Sequence, residues 1–486
     1  MLYRGRVRKP LPWILSALFL AALFLIGAGA VNHWLEGAGF HDLLEQKSSD
    51  ALHAKTSLGP LRWGWFELSS PHLEAEGLDF TSLRHLEADG VHGKLSFSDL
   101  LHGKWHVEEI SLENASLHID ATRPKNNREK PLVKTASALP SWIPTLFVID
   151  VIRAAKADVY LTLPGDKSLE LLGTHLEAYP EGEETRIEGS GGVLQNPFLP
   201  DLNIETVRCR IKPSLVDLTA ADLRFPQGGS LHLEGEFPDV EESTLEGRWE
   251  KVPVAALWPL LSQKITGTLE GKASIRWNPA GARSIDGTIK AHDVTLVGIP
   301  MLNEISRLTQ MEAFQHLFLQ QAQATFSVKG GGTTWSNIVL ESQGLIKLVG
   351  GAVTQPDGTV SGDFQLGLSS PIVTVIPGAA DVFSKDQHDG YFWTSLHVGG
   401  TLSHPTEDLT PRITAAVLRN AALLIQQGVK QGLQILGLDR KSLPPVVGTN
   451  NPAGNTSPVP GSNPDPAQDI KQGAGNLIDT LGGFLK

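Results

Sequence analysis

This chain is nearly free of sulfur: one cysteine, Cys209, and three methionines stand among 486 residues. A lone thiol forms no intramolecular disulfide and no thiolate metal cluster, so a disulfide scaffold and a zinc finger are both excluded. Basic charge is also scarce. Against 53 acidic side chains there are 41 basic ones, a net charge of −12, and four of the basic residues precede the first apolar run. That balance has the wrong sign for a phosphate backbone and excludes nucleic acid as a partner. Residues 11–31 form one long apolar run, and no second stretch of about eighteen apolar residues exists, so the chain crosses a bilayer with helices at most once. With 41% hydrophobic residues it can nevertheless bury a sizeable core.

The run LPWILSALFLAALFLIGAGAV carries no charge, and as a helix it spans roughly the 30 Å of a hydrocarbon layer. Arg4, Arg6, Arg8 and Lys9 precede it, and the first charge beyond it is Glu36. The positive-inside rule therefore places residues 1–10 in the cytoplasm and everything after residue 31 outside it. Trp13 and Trp34 sit near the two ends of the span, where indole rings favour the interface. Ala28-Gly29-Ala30 also fits a signal-peptide cleavage site, and the residues leave retention and cleavage both open. Either way, the bulk of the chain is exported.

From about residue 58 to residue 405 the dominant pattern is alternation of apolar and polar side chains, the period of strands wetted on one face. Val159, Leu161 and Leu163 show it, as do Leu231 and Leu233, then Ile265, Leu269 and Ile275, then Phe364, Leu366 and Leu368. In HVEEISLENASLHID the phase changes between Ile110, Leu112 and Leu117, Ile119, and Asn114 marks a bulge there. Turn signals recur throughout, including Pro164-Gly165-Asp166 and Pro356-Asp357-Gly358. Many positions on one phase are glycine (Gly267, Gly271, Gly350), which permits strong twist or close backbone approach. A loose strand–Gly–strand theme recurs without a strict period. Open sheet edges at the two ends would invite strand addition by another protein.

Helical patterns interrupt the strands over 32–57, over about 300–321 and over 411–440. The second carries Leu302, Ile305, Leu308, Met311 and Phe314 at helical spacing, and the third carries Leu418, Ala422, Ile425, Val429 and Leu436. Residues 441–471, rich in Pro, Gly and Asn, read as a disordered linker, and 472–486 as a short amphipathic tail.

No catalytic constellation emerges. His102 and His106 are spaced as in a zinc helix but lack its glutamate, and as even-spaced strand neighbours they read as surface residues. Gly189-Ser190-Gly191-Gly192 has no helix pattern after it and reads as a hairpin turn. Arg208 and Arg210 flank Cys209, which fits an alternating strand with outward arginines better than a reactive thiol. Neither a metal, a cofactor nor a catalytic residue is expected.

The order of parts resembles a known family. The basic start and single span are followed by WGWFELSSPHLEAEGLDF and then HLEADGVHGKLSFSDLLHGKWHVEEISLENASLHID, with Leu100, Leu101 and Gly103 at a turn. Near the other end stand FSVKGGGTTWSNIVLESQGLIKLVGGAVTQPDGTVSGDFQLGLSS and HVGGTLSHP, with Gly400, Thr401, Leu402 and Pro405. Over residues 1–120 and 245–410 this texture resembles the AsmA-like family. The resemblance implies a single-pass inner-membrane protein whose periplasmic part is a curled β-groove associated with phospholipid movement and outer-membrane assembly, without catalytic residues.

The expected fold is thus mainly β: a transmembrane helix over 11–31, then an elongated, curled antiparallel sheet with an apolar trough, in modules 58–244 and 245–410. The expected guest is a phospholipid or other acyl-chain lipid, lying against Val159, Leu161, Leu163, Leu231, Leu233, Ile265, Leu269, Ile275, Phe364, Leu366 and Leu368. The inner membrane and envelope-assembly proteins are the expected partners. The physical basis is that the expected helices are too short to cover the apolar face of so many strands. The rival readings are a secreted carbohydrate-binding or carbohydrate-cleaving β-protein, prompted by eleven tryptophans, and a ligand-free envelope scaffold.

Overall fold

Strands dominate the protein, as the alternation requires. The computed structural model describes residues 37–426 apart from 65–66, 80, 97–98, 100–103, 121, 123–146, 164–166, 198, 258, 260–261, 279–282, 377 and 402–403. The expected span over 11–31, with Arg4, Arg6, Arg8, Lys9, Trp13 and Trp34, lies outside the described residues, as do the linker and tail. Among the described residues no helix is long and apolar enough to cross a membrane. Contacts divide the chain into two units, Met1–Pro197 with Asn203–Pro213, and Phe198–Leu202 with Ser214–Lys486. This division differs from the module boundary read at 244/245. The reason is hydrogen bonding: β12 (Leu215–Arg224), β13 (Ser230–Pro238) and β14 (Ser243–Pro253) ladder directly onto β15 (Ile265–Trp277).

In the first unit, helix α1 (Ala38–Leu52) precedes β1 (Ala54–Leu58) and β2 (Arg62–Trp63). His53, in the left-handed region, ends α1 before the expected helical stretch is complete. Strands β1 and β2 both pair with β3 (Glu67–Gly77), which pairs with β4 (Leu83–Leu95), and β4 with β5 (Trp105–Asp120). The next pairing is parallel: β6 (Phe147–Ile149) and β7 (Ile152–Leu163) both run alongside β5 in the same direction. Antiparallel pairing resumes through β8 (Lys167–Glu181), β9 (Glu184–Ser190), β10 (Val193–Gln195) and β11 (Leu202–Lys212). The first unit therefore departs from the all-antiparallel expectation at this one junction.

The second unit is an antiparallel meander. After β15 come β16 (Arg283–Val297), β17 (His316–Leu319), β18 (Gln321–Lys329), β19 (Gly332–Ser342), β20 (Ile346–Thr354), β21 (Val360–Ser369), β22 (Tyr391–Thr401) and β23 (His404–Glu407). Among the described residues four α-helices interrupt or follow it: α2 (Val254–Leu257), α3 (Pro300–Thr309), α4 (Ser370–Val375) and α5 (Leu409–Gln426). The helix expected over 300–321 is thus much shorter. Gln310 adopts a left-handed conformation at its end, and His-Leu-Phe-Leu at 316–319 alternates and pairs with β16.

Part of each terminal edge is covered, which narrows where another strand could add. On β1 the Thr56 N–H donates to Ser49 Oγ at 3.0 Å and the Leu58 N–H to Glu45 Oε1 at 2.8 Å, both from α1. On the outer side of β22, the Ser384 N–H donates to Trp393 O and the Trp393 N–H to Ser384 Oγ, while Asp408 accepts from the His397 N–H through Oδ1 and donates its own N–H to His397 O. Helix side chains and turns thus occupy some of the groups that a foreign strand would use.

Candidate functional site

Residues opposite one another in a ladder share a face, so the registers assign every side chain of a strand to one side. In the second unit one face collects Leu233, Gly247, Ala273, Gly287, Phe326, Trp335, Ala352 and Gly362 in a single row across eight strands. Rows on either side carry Leu231, Trp249 and Gly271, and Leu245, Ile275, Ile285 and Val328. The opposite face carries His232, Arg248, Lys272, Glu234, Glu246 and Asp286. There His232 Nδ1 lies 2.7 Å from Asp222 and Arg276 3.1 Å from Asp286. Ser327 Oγ donates to Asp286, and with Arg276 alongside it holds that carboxyl below the usual carboxylate range.

The glycines on the apolar face are roofed by aromatic rings, Gly287 and Gly271 by rings from neighbouring strands and Gly362 by the ring two residues on in its own strand. A methyl carbon on Gly287 would lie 2.4 Å from Phe326 Cζ, one on Gly271 2.5 Å from Trp249 Cζ2, and one on Gly362 2.7 Å from Phe364 Cε2. The apolar surface is therefore flush, with ring area standing in for the missing side chains. At one end of these strands α3 and α4 close over the face. Leu302, Ile305, Phe314, Leu317, Ile372 and Ile376 pack with Leu366 and Leu368 into a dry core. Leu366 and Leu368 are 1% exposed, so these two expected groove positions do not line an open surface. Leu269 and Leu231 are also buried. Leu233, Ile265, Ile275 and Phe364 share the same face and are half-buried.

The first unit is covered differently. One row runs Ala75, Leu86, Leu117, Val159, Leu171, Leu194, and the next runs Leu83, Ile119, Leu161, Leu169. Apart from Ala75, all of these are half-buried. Leu163 pairs with Lys167 at the end of the same hairpin. At the other end of the strands, Phe40 and Leu43 of α1 close on Trp105, with Trp63, Leu68 and Phe147 around them. The Leu83–Leu171 region has no such helix on it among the described residues.

Between these two ends the side-chain phase inverts on four strands at once. It does so at Gly90 in β4, Glu113-Asn114 in β5, Ala155-Lys156 in β7 and Gly173 in β8. The phase change expected at Asn114 is there, but β4 and β7 change with β5, so Asn114 stays opposite Asp89 and Lys156 without an offset. Gly90 has φ +61, and a methyl carbon there would meet Glu113 Cγ at 2.4 Å. The inversion keeps Ile110 and Leu112 on the same face as Leu117 and Ile119. The sequence reading did not single out Leu83, Leu86, Leu169 or Leu171: Leu83 and Leu86 fall on opposite phases across the register shift between Leu83 and His85, whereas Leu169 and Leu171 alternate plainly and were available.

Of the remaining candidates, His102 lies outside the described residues. His106 is held by Asp99 at 2.7 Å and Asp150 at 2.8 Å, and these two hydrogen bonds raise its pKa above the ordinary histidine value. His72, Glu87 and Asp89 come together on the polar face, but His72 and Asp89 already bond one another at 2.9 Å. Cys209 faces the apolar side opposite Ile187, with Arg208 and Arg210 on the alternate phase. The hairpin expected at Gly189-Ser190-Gly191-Gly192 is not formed: Gly189 and Ser190 lie within β9, and β9 and β10 both pair with β8, so Gly191 and Gly192, both at positive φ, interrupt one edge that continues along β8. No protein-family model matches this chain, and no curated protein matches it.

Proposed function

We propose that this is a non-enzymatic, membrane-anchored periplasmic protein that binds or conveys phospholipid through its acyl chains and supports outer-membrane biogenesis. The observation that carries the reading is the half-buried aliphatic field of the first unit. Leu83, Leu86, Leu117, Ile119, Val159, Leu161, Leu169 and Leu171 share one face, and no described helix covers them. A buried methylene contributes roughly 0.8 kcal/mol, so a partly engaged acyl chain is enough to fill such a field. Nothing on the face selects a headgroup, and recognition is by shape and apolarity. The expected anchor is the run over 11–31, and the AsmA-like resemblance agrees with this assignment.

The test is a photo-crosslinking residue at Val159 or Leu161 in the full-length chain in cells. Lipid adducts identified by mass spectrometry are the expected result, with Leu366 as a silent control. Adducts only from the opposite-face neighbours Asp158 and Tyr160 overturn the proposal. The closed core around Leu366 favours a second reading for the second unit, a ligand-free scaffold, which mass spectrometry of the purified protein distinguishes by the absence of bound lipid.

A further inference from the structure

The polar face of the first unit, behind the aliphatic field, pairs two histidines. On β4 and β5, His85 stands directly opposite His118, and the next pair on the same face is Glu87 opposite Ser116. Residues directly opposite one another in an antiparallel ladder have Cβ atoms about 4.5–5.5 Å apart, so two imidazoles placed there can meet over one point. The ring centres of His85 and His118 are 6.1 Å apart and tilted by 53°. Both rings turn Nε2 toward the neighbouring pair: His85 Nε2 lies 3.9 Å from Glu87 Oε2, and His118 Nε2 lies 3.4 Å from Ser116 Oγ. Tyr160, beside His118 on β7, stacks on its ring at 4.4 Å and 9°, which supports the plane of that imidazole from the far side.

The charges around the pair favour a cation. Glu74 lies opposite Glu87 on β3, and Asp158 lies beside Ser116 on β7. Of the nearby cations, Arg84 is 3.0 Å from Asp120 and Lys55 on β1 stands opposite Glu76. Lys156, beside Asn114, is two rows away from the histidines. The row next to the imidazoles therefore carries Glu74, Glu87 and Asp158, and a positive ion above it sits in a negative field.

We propose that His85, His118 and Glu87 form a site for a divalent transition-metal ion, bound through two imidazole nitrogens and one carboxylate oxygen, with water completing the shell. Imidazole suits zinc, copper and nickel, whereas Mg²⁺ and Ca²⁺ favour oxygen ligands. With metal–nitrogen bonds of about 2.0–2.1 Å, the ring centres of two histidines on one ion fall about 5–6 Å apart. A small turn of two half-buried rings closes the remaining gap. On the other side of Glu87, His72 and Asp89 also approach it, but that group offers a single imidazole, already bonded to Asp89. The sequence reading expected no metal because His85 and His118 share no spacing; only the strand register brings them together. The inference does not depend on the lipid reading. The ion would tie β4 to β5 directly behind Leu86 and Leu117, the apolar-face pair adjoining the two histidines.

The test is calorimetric titration of ZnCl₂ into tag-free, full-length protein purified in detergent and stripped with EDTA. One saturable site per chain is expected, with affinity reduced about tenfold or more in His85→Gln and in His118→Gln. It should be unchanged in His232→Gln, whose imidazole pairs with Asp222 in the second unit. A second measurement needs no variant: in the wild type, zinc should shield His85 and His118 from diethylpyrocarbonate, as read by peptide mass. Absence of saturable binding, equal loss in His232→Gln, or loss in His72→Gln with retention in His118→Gln overturns the proposal. So does unchanged labelling of His85 and His118 in the presence of saturating zinc.

Discussion

The guanidinium of Arg412 donates to the carbonyl oxygen of Ser395 at 2.7 Å and to Thr394 Oγ1 at 2.8 Å, from a helix onto the outer edge of a strand. Asp408, one turn earlier, bonds the His397 N–H at 2.8 Å and lies 3.3 Å from Arg412. The start of α5 thus serves as a side-chain substitute for a neighbouring strand along Thr394–His397, ahead of the stretch of β22 that pairs with β23. Glu407 in turn accepts from the Leu409 and Thr410 N–H groups, fixing where the helix begins.

Removing this cover is expected to make the protein self-associate. The double variant Arg412→Ala, Asp408→Ala should lose about 1–3 kcal/mol of stability and show concentration-dependent association by light scattering. Glu45→Ala with Ser49→Ala should do the same at β1. Both variants remaining monomeric at native stability would show that these contacts do not protect the edges.

The roofed glycines should be intolerant of a side chain. At Gly287 a methyl carbon would also lie 2.7 Å from Lys272 O, so the backbone as well as the Phe326 ring must move. Gly287→Ala is expected to cost about 1–3 kcal/mol in urea unfolding. Phe326→Leu in the same chain should recover only part of that loss, because the carbonyl remains.

Leu366 and Val159 alternate alike in sequence but differ in burial, which separates their expected responses. Leu366→Ala should cost about 2–5 kcal/mol, since it leaves a cavity in a closed core. Val159→Ser should cost well under that and instead reduce the lipid recovered with the purified protein. Equal stability losses at both positions would argue that the first unit is as closed as the second.

His106 ties the loop before β5 to the turn before β7 through Asp99 and Asp150. Its pKa is raised in the folded state. The stabilisation is therefore complete below the unfolded histidine value of about 6.5 and disappears as pH rises through the folded one. A thermal-melt series from about pH 5.5 to about pH 9 should show this decline in the wild type and a flatter profile in His106→Gln. Identical profiles would mean that the clamp contributes no linked stability.

Much of this fold was legible in alternation alone. Leu231, Leu233, Leu269, Ile275, Phe364 and Leu366 were assigned to one face from their spacing, and the registers place them there. What alternation does not encode is what lies above a face. Leu366 and Ile275 read alike, yet α4 follows β21 directly and folds back over Leu366 and Leu368, a tertiary outcome with no counterpart in strand periodicity. The parallel pairing of β5 was hidden for a related reason: antiparallel and parallel neighbours demand the same apolar phase. The end of α3 at Thr309 was available in principle, because His-Leu-Phe-Leu alternates, but the apolar spacing of Met311 and Phe314 masked it.

Pairing order has a consequence during synthesis. In the second unit each new strand finds its partner in the one just made, except β18, which continues β17 along β16, so the meander can grow by accretion with short loop closures. Strand β5 has no such immediate successor. It must wait with one flank bare until some thirty residues later, when β7 arrives from the far end. In that interval the nascent chain is at its most vulnerable to a stray strand, and a factor that shelters growing chains would find its target there.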